Sequence, residues 1–196
     1  MTTSPSPSQS DGPKMSDSAT DRYSAAPAPV PAAWGEPKHK EVSWYWAGGA
    51  LGIDPQTPGI DYVQGIIDGH YPPPPIQSHV PIAITAVERG TVTLRCRPDE
   101  SLLNTNGTVH GGVLATLMDS AMGIAVVTEV LVCQPFATIE MKVSYLKPMA
   151  YDGSEVEVIG KVLRTGRKVA FAEAHAYNEA GALIGHASSS LARIGE

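Results

Sequence analysis

The residues whose types could do chemistry lie in one short stretch, Asn104-Thr105-Asn106-Gly107-Thr108-Val109-His110-Gly111-Gly112, and in the apolar run from Val113 to Gly123 that follows it. Between Glu100 and Glu129 the only formally charged residue is Asp119. Its neighbours Val113, Leu114, Leu117, Met118, Met122, Ile124 and Val126 describe a helix apolar on nearly every side, and such helices are buried. An ionised carboxylate is costly there unless something compensates it. Asp119 is therefore expected to be a buried acid, either structural and hydrogen-bonded to a neighbouring loop or kept for catalysis. His110-Gly111-Gly112 sits where that helix begins. The first N–H groups of a helix have no partner within it and carry the positive end of its dipole. Two glycines would leave those N–H groups open to a ligand oxygen, which is how an oxyanion hole is made. The plainer reading is a glycine-rich helix start; its coincidence with a lone acid favours function.

Spacing sharpens the point. Gly111 and Asp119 are eight residues apart in the sequence, so on a straight helix they stand about 12 Å apart along the axis. A catalytic carboxylate must come within about 3–3.5 Å of the atom it attacks, or within one water of it. One helix cannot present both groups to the same carbonyl. If both are catalytic they come from different subunits, and an isologous dimer with antiparallel helices is the simplest symmetry that supplies two equal composite sites.

The elements that must hold these groups can be read from periodicity and turn chemistry. Residues 1–33 are rich in Ser, Pro and Ala and read as a disordered tail, with Met15 as an alternative start. Residues 34–80 read as a docking segment in which aromatic residues appear from Trp34 to Trp46. Within it, Ile60, Val63, Ile66 and Ile67 suggest an amphipathic helix of about a turn and a half. Gly69 and Pro72 to Pro75 then stop that helix and impose a rigid, extended connector. Residues 81–196 carry the main domain. Ile82–Glu88 and Thr91–Arg97 around Arg89-Gly90 read as a hairpin, residues 111–128 as one long helix, and Phe136–Leu146, Ser154–Arg164, Val169–Asn178 and Leu183–Ile194 as four strands. In the first of these four, Ile139, Met141, Val143 and Tyr145 are expected on a buried face and Glu140, Lys142 and Ser144 on a wetter one. Two strands, one helix and four strands with short links imply an α+β fold: an antiparallel sheet of about six strands wrapped around one helix.

Totals exclude several functions. The 196 residues suit one domain and a tail, and a net charge of -6 offers no basic face for nucleic acid or an anionic membrane. No apolar run of about 18 residues spans a membrane, and the N-terminus has no secretory pattern. A cytoplasmic location is expected. Cys96 and Cys133 stand alone and read as buried free thiols. His39, His70, His79, His175 and His186 show no metal-ligand spacing and read as surface or core fillers, so no metal is expected; no cofactor is expected either.

The block Gly107-Thr108-Val109-His110-Gly111-Gly112, with Leu117-Met118-Asp119-Ser120-Ala121-Met122-Gly123 and Lys142-Val143-Ser144-Tyr145-Leu146-Lys147-Pro148, resembles the hotdog-fold acyl-CoA thioesterases of the PaaI-like, phenylacetyl-CoA thioesterase type. Gly59-Ile60-Asp61-Tyr62 and Pro73-Pro74-Pro75 add to the likeness, which covers roughly residues 59–194. The resemblance implies a hotdog fold, dimers that pair into tetramers, and acyl-CoA hydrolysis without metal. By position it implies that Asp119 activates water or attacks the thioester carbon, and that the Gly111 N–H binds the carbonyl oxygen beside Gly112. Asn104 would orient carbonyl or water, His110 would hold the loop or touch the thioester, and Thr138 would assist the water. Arg164, Arg167 and Lys168 would face the nucleotide end of CoA, although a solvated turn explains them as well. His79-Val80-Pro81 departs from the family's pattern, which puts the acyl group in question rather than the chemistry. Competing functions are a hydratase or dehydratase on enoyl or hydroxyacyl thioesters, for which no His/Glu or Asp/His pair appears near the helix, and a non-catalytic acyl-CoA sensor.

Overall fold

Thr91, Val92, Thr93, Leu94, Arg95 and Cys96 alternate between the two sides of a pleat, and Arg89-Gly90 turns the chain back onto Ile82–Glu88. In the computed structural model these form the hairpin β1 (Ile82–Glu88) and β2 (Thr91–Cys96), with Glu88 opposite Thr91. Gly90 takes φ +76°, a left-handed turn geometry that favours glycine. The structure describes residues 32–45, 53–132 and 134–195. The tail before Ala32, the alternative start at Met15 and Cys133 lie outside them.

The chain divides into two units, Met1–His39 and Lys40–Glu196. What is described of the first holds one 3-10 turn, Ala32–Trp34. The second contains helices α1 (Gly59–Ile67), α2 (Ile76–His79) and α3 (Gly111–Val127), and strands β1, β2, β3 (Phe136–Tyr145), β4 (Val156–Thr165), β5 (Val169–Asn178) and β6 (Leu183–Arg193). All six strands join one sheet in the order β1-β2-β4-β5-β6-β3, with every neighbouring pair antiparallel. The docking segment contributes α1 and α2 to this unit, where they pack on β1.

The sheet curls around α3. Val92, Leu94, Cys96, Val156, Val158 and the alternate alanines 170, 172, 174 and 176 are buried against Leu114, Leu117, Met118, Ala121 and Met122. Small residues on β4 and β5 let the helix come close: a Cβ on Gly160 would lie 2.4 Å from the Ala121 carbonyl. Both ends of the helix are pinned. At its C-terminus the Thr128 hydroxyl donates to the Ala125 carbonyl at 2.7 Å and accepts the Gly90 N–H at 2.7 Å, tying α3 to the β1–β2 turn. Gly59 starts α1 against the same end, its N–H donating to the Val130 carbonyl at 2.7 Å. Cys96 is free and buried, and burial first of all pushes its thiol up to about 11.

Several expectations need correction. α1 has nine residues rather than a turn and a half. The proline run does not stay extended: Pro75 is already helical (φ -52°, ψ -32°) and begins α2, because proline's fixed φ suits a helix start. β3 lies at the edge of the sheet, so its expected buried face is half open, with Ile139 60% and Tyr145 53% exposed. Ile139 also falls at a register shift between Thr138 and Glu140. Finally, α3 is not covered all round. Its buried side chains share one broad face, whereas Gly112, Ala115, Thr116, Asp119, Ser120 and Gly123 form a less covered face of small residues. Asp119 is thus half-buried rather than buried.

Candidate functional site

The loop before α3 is built by its own polar side chains. Asn104 Oδ1 accepts the Asn106 N–H at 2.8 Å and the Thr108 N–H at 3.3 Å, while Nδ2 donates to Thr108 Oγ1 at 3.0 Å. The Thr108 carbonyl accepts the Asn104 N–H at 2.9 Å, and Gly107 (φ +77°) closes the turn. Asn104 therefore organises the loop. Its oxygen is engaged there, with the amide nitrogen on Thr108.

His110 caps the helix: its Nδ1 accepts the Gly112 N–H at 2.9 Å. With Nδ1 accepting, a neutral ring carries its proton on Nε2, on the exposed side. This corrects the role expected of Gly112, whose N–H is consumed by the cap. Among the described residues the Gly111 N–H meets no acceptor, so one donor at the helix start remains open.

Asp119 sits two turns further along. Thr138, on β3, donates its hydroxyl to Asp119 Oδ1 at 2.7 Å, so these two expected site residues meet within one chain. None of the ion pairs among the described residues involves Asp119. Gly111 and Asp119 both lie on α3, about 12 Å apart along its axis. The structure thus brings Asp119 to Thr138, and Gly111 to His110, but does not bring the two groups together in a single chain.

A cleft of ≈ 330 Å³ opens at the Gly111 end, lined by Asn104, Gly111, Leu114, Tyr145 and Lys147 among others. Tyr145 forms its wall. The phenol donates to the Gly111 carbonyl at 3.1 Å, and a Cβ on Gly111 would lie 3.3 Å from the ring. A larger hollow of ≈ 440 Å³ among Arg95, Glu155 and Glu157 lies on the sheet face turned away from α3. Glu155 and Glu157 there are ion-paired with Arg95, and the hollow reaches neither Gly111 nor Asp119.

Arg164, next to last in β4, and Arg167 and Lys168, on the β4–β5 turn, are exposed, and none takes part in an ion pair among the described residues. Register relates that turn to the acid. Thr138 stands opposite Leu191, Leu191 opposite Ala170, and Ala170 opposite Thr165. Three strand spacings, about 14 Å, therefore separate Thr138 from the start of the turn.

A family model described as "Thioesterase superfamily" matches residues 106–184, the stretch from the Asn104 loop through β5. Human acyl-coenzyme A thioesterase 13 is 31% identical over 103 residues, which cover 50% of this chain and 69% of that protein. The chain belongs to the thioesterase superfamily. The Pseudomonas aeruginosa conserved protein PA5202 superposes with TM-score 0.57 at 27% identity, covering 61% of this chain and 93% of that one. The E. coli PaaI protein from the phenylacetic acid degradation operon gives TM-score 0.62 at 15% identity, over 72% of this chain and 97% of that one. The fold is the α+β hotdog, helix within sheet.

Two residues of this thioesterase escaped the sequence reading. Tyr145 looked like an ordinary member of an alternating strand, although its phenol and its place just before Leu146-Lys147-Pro148 were visible signals. Arg193 ends β6 with its guanidinium 5.6 Å from the Phe136 ring centre and Nη2 donating to Gln134 at 3.2 Å. Its Nε is buried without a partner among the described residues. Nothing local in the sequence distinguished it from a terminal strand residue. No group of three or more His, Cys, Asp or Glu among the described residues is arranged to hold a metal, and no helix among them is long and apolar enough to cross a membrane.

Proposed function

We propose that this thioesterase hydrolyses an acyl-CoA thioester to the free acid and CoA, in a site assembled from Asp119 and Thr138 of one copy and Gly111 of another. The observation that carries this reading is the separation along α3. The open Gly111 N–H and the Thr138-bound carboxylate share one rigid helix, about 12 Å apart along its axis, and so cannot share a carbonyl. Support for a second copy comes from what is left uncovered. Edge strand β3 exposes Ile139 and Tyr145, and the small-residue face of α3 lies beside it. An open strand edge favours pairing with another chain, and small residues let helices approach. A dimer of dimers in the cytoplasm completes the proposal.

In this mechanism the Gly111 N–H, at the positive end of α3, stabilises the oxygen that becomes negative as the thioester carbon turns tetrahedral. Asp119 takes the proton of the attacking water or attacks the carbon itself, and Thr138 holds the carboxylate in position. Collapse of the intermediate expels the CoA thiolate; where water attacked, this leaves the free acid, and where Asp119 attacked it leaves an acyl anhydride on Asp119, which water then hydrolyses to the free acid and the restored carboxylate. His110 serves by keeping the loop and helix start in register rather than by touching the reacting atoms. Arg164, Arg167 and Lys168 meet the phosphates of CoA, for which guanidinium and ammonium groups are suited. No cofactor is required. The reading draws its substrate class from the human relative, an acyl-coenzyme A thioesterase.

The test is thiol release from a panel of aliphatic, aromatic and hydroxylated acyl-CoAs. Asp119→Ala and Asp119→Asn are expected to lower kcat at least about 100-fold on the best substrate, with unchanged circular dichroism. Wild-type turnover by folded Asp119→Ala would remove Asp119 from the mechanism.

A further inference from the structure

The loop that delivers Gly111 is fastened from a part of the chain that precedes the matched family region. Lys40 lies in a segment without regular secondary structure, and its Nζ bridges two elements: 2.5 Å from Asp99 Oδ2 and 3.0 Å from the His79 carbonyl at the end of α2. The Trp44 ring, four residues further along the same segment, lies 5.6 Å from the His79 ring. Asp99 uses its other oxygen on the loop. Oδ1 accepts the Ser101 N–H at 2.9 Å and the Ser101 hydroxyl at 2.5 Å, capping the 3-10 turn Glu100–Leu102. The Leu102 carbonyl then accepts the His110 N–H at 2.9 Å, and Leu103 bridges Val109. His110 in turn binds the Gly112 N–H. An unbroken series of contacts therefore runs from Lys40 through Asp99 and Leu102 to the first residues of α3.

We propose that Lys40 is a positioning residue for hydrolysis, which acts through Asp99 and the Glu100–Leu102 turn to fix the orientation of the Gly111 N–H. Three features argue that the contact does more than decorate the surface. Lys40 is two-thirds covered, its side chain 33% exposed, and it joins elements 39 and 59 residues away in sequence. It takes the one Asp99 oxygen that the cap does not use. Burial works to raise the Asp99 carboxyl, but hydrogen bonds from Lys40 and Ser101, with the charge of Lys40, outweigh it and hold the group below the ordinary carboxylate range. A charged, doubly engaged Asp99 keeps the turn closed; without Lys40 the carboxylate loses its cation and the His79 carbonyl loses a donor. An oxyanion donor works by being preorganised, so freedom in its loop reduces turnover more than it reduces substrate binding.

The inference rests on the proposed role of the Gly111 N–H, and the experiment separates the two. In the full chain, Lys40→Met is expected to lower kcat about tenfold with KM within about twofold, since small misplacements of a catalytic group are costly. Lys40→Arg should restore most of the loss. Hydrogen exchange should quicken at the His110 and Gly112 amides in Lys40→Met and not in Lys40→Arg. Should Lys40→Met fail to fold, Asp99→Asn, which keeps an oxygen for the cap, carries the same readouts. A wild-type kcat in Lys40→Met, or a loss that follows only the folded fraction, overturns the relay while leaving the donor in place. Gly111→Pro, assayed in parallel, tests the donor itself: wild-type turnover in that variant would overturn both.

Discussion

A hydroxyl held 2.7 Å from a carboxylate oxygen decides where an acid points. Asp119 has no ion pair among the described residues to orient it, so the Thr138 bond is what selects its rotamer among the small neighbours of that helix face. Thr138→Val keeps the branched shape and the strand propensity and removes the donor. The expected outcome is a fall in kcat of about tenfold, since a hydrogen bond to a charged group is worth about 1.5–3 kcal/mol and solvent replaces part of it at a half-open site. Stopped-assay thiol release at saturating substrate measures it. A decrease as large as that of Asp119→Ala would assign the hydroxyl a direct role on the water, and no decrease would leave it as ordinary strand chemistry. Gly112 shows how readily an apparent pair of donors becomes one. Its N–H looked equivalent to that of Gly111 in the sequence, but the imidazole two residues back takes it.

At the scale of elements, the precision of the site is set by how closely α3 can seat in the sheet. The helix carries the open N–H at its first residue and the acid two turns later, so any shift along or away from the sheet moves both. Gly160 controls that distance. A Cβ there would stand 2.4 Å from the Ala121 backbone, and backbone cannot rotate away as a side-chain end can. Gly160→Ala is therefore expected to destabilise the fold by about 1–3 kcal/mol, the usual cost of overpacking a tight core, read as a lower urea midpoint at unchanged m value. A midpoint equal to wild type would mean that helix and sheet separate without penalty. The same seating explains the alternate alanines of β5, which keep that strand low beneath the helix, and the Thr128 bridge that fixes the far end of α3 to the β1–β2 turn.

For the whole molecule, the proposed composite site has a consequence that no single-chain site shares. Gly111→Pro removes the open N–H while respecting the backbone: proline is tolerated at the first helical position, and His110 already has the extended ψ of 135° that precedes proline well. Tyr145 has to yield by a few tenths of an ångström. Gly111→Pro and Asp119→Asn are each expected to be inactive alone. Unfolded and refolded together in equal amounts, they should recover about a quarter of wild-type activity, because half the dimers are hybrids and each hybrid has one of its two sites intact. An inactive mixture of demonstrably hybrid dimers would place both groups in one chain and end the two-copy mechanism.

What the sequence determined by itself is what depends on near neighbours along the chain. The hairpin at Arg89-Gly90, the helix starting at Gly111, the strand Val169–Asn178 and the isolation of Asp119 among apolar residues all follow from alternation, 3.6-residue spacing and turn chemistry. Tertiary structure decided what those patterns leave open. Alternation says which residues share a face and is silent on whether anything covers it, so Ile139 and Tyr145 could be grouped correctly and still prove exposed once β3 took the sheet edge. Apolar content likewise hid the face Gly112, Ala115, Thr116, Asp119, Ser120 and Gly123, although those positions fall on one side of a helix and their small size was visible. The contacts of Thr138 with Asp119 and Tyr145 with Gly111 join positions 19 and 34 residues apart. Such contacts are set by strand order and by how deeply the helix sits, and those are settled by packing among residues remote in sequence rather than by any local pattern.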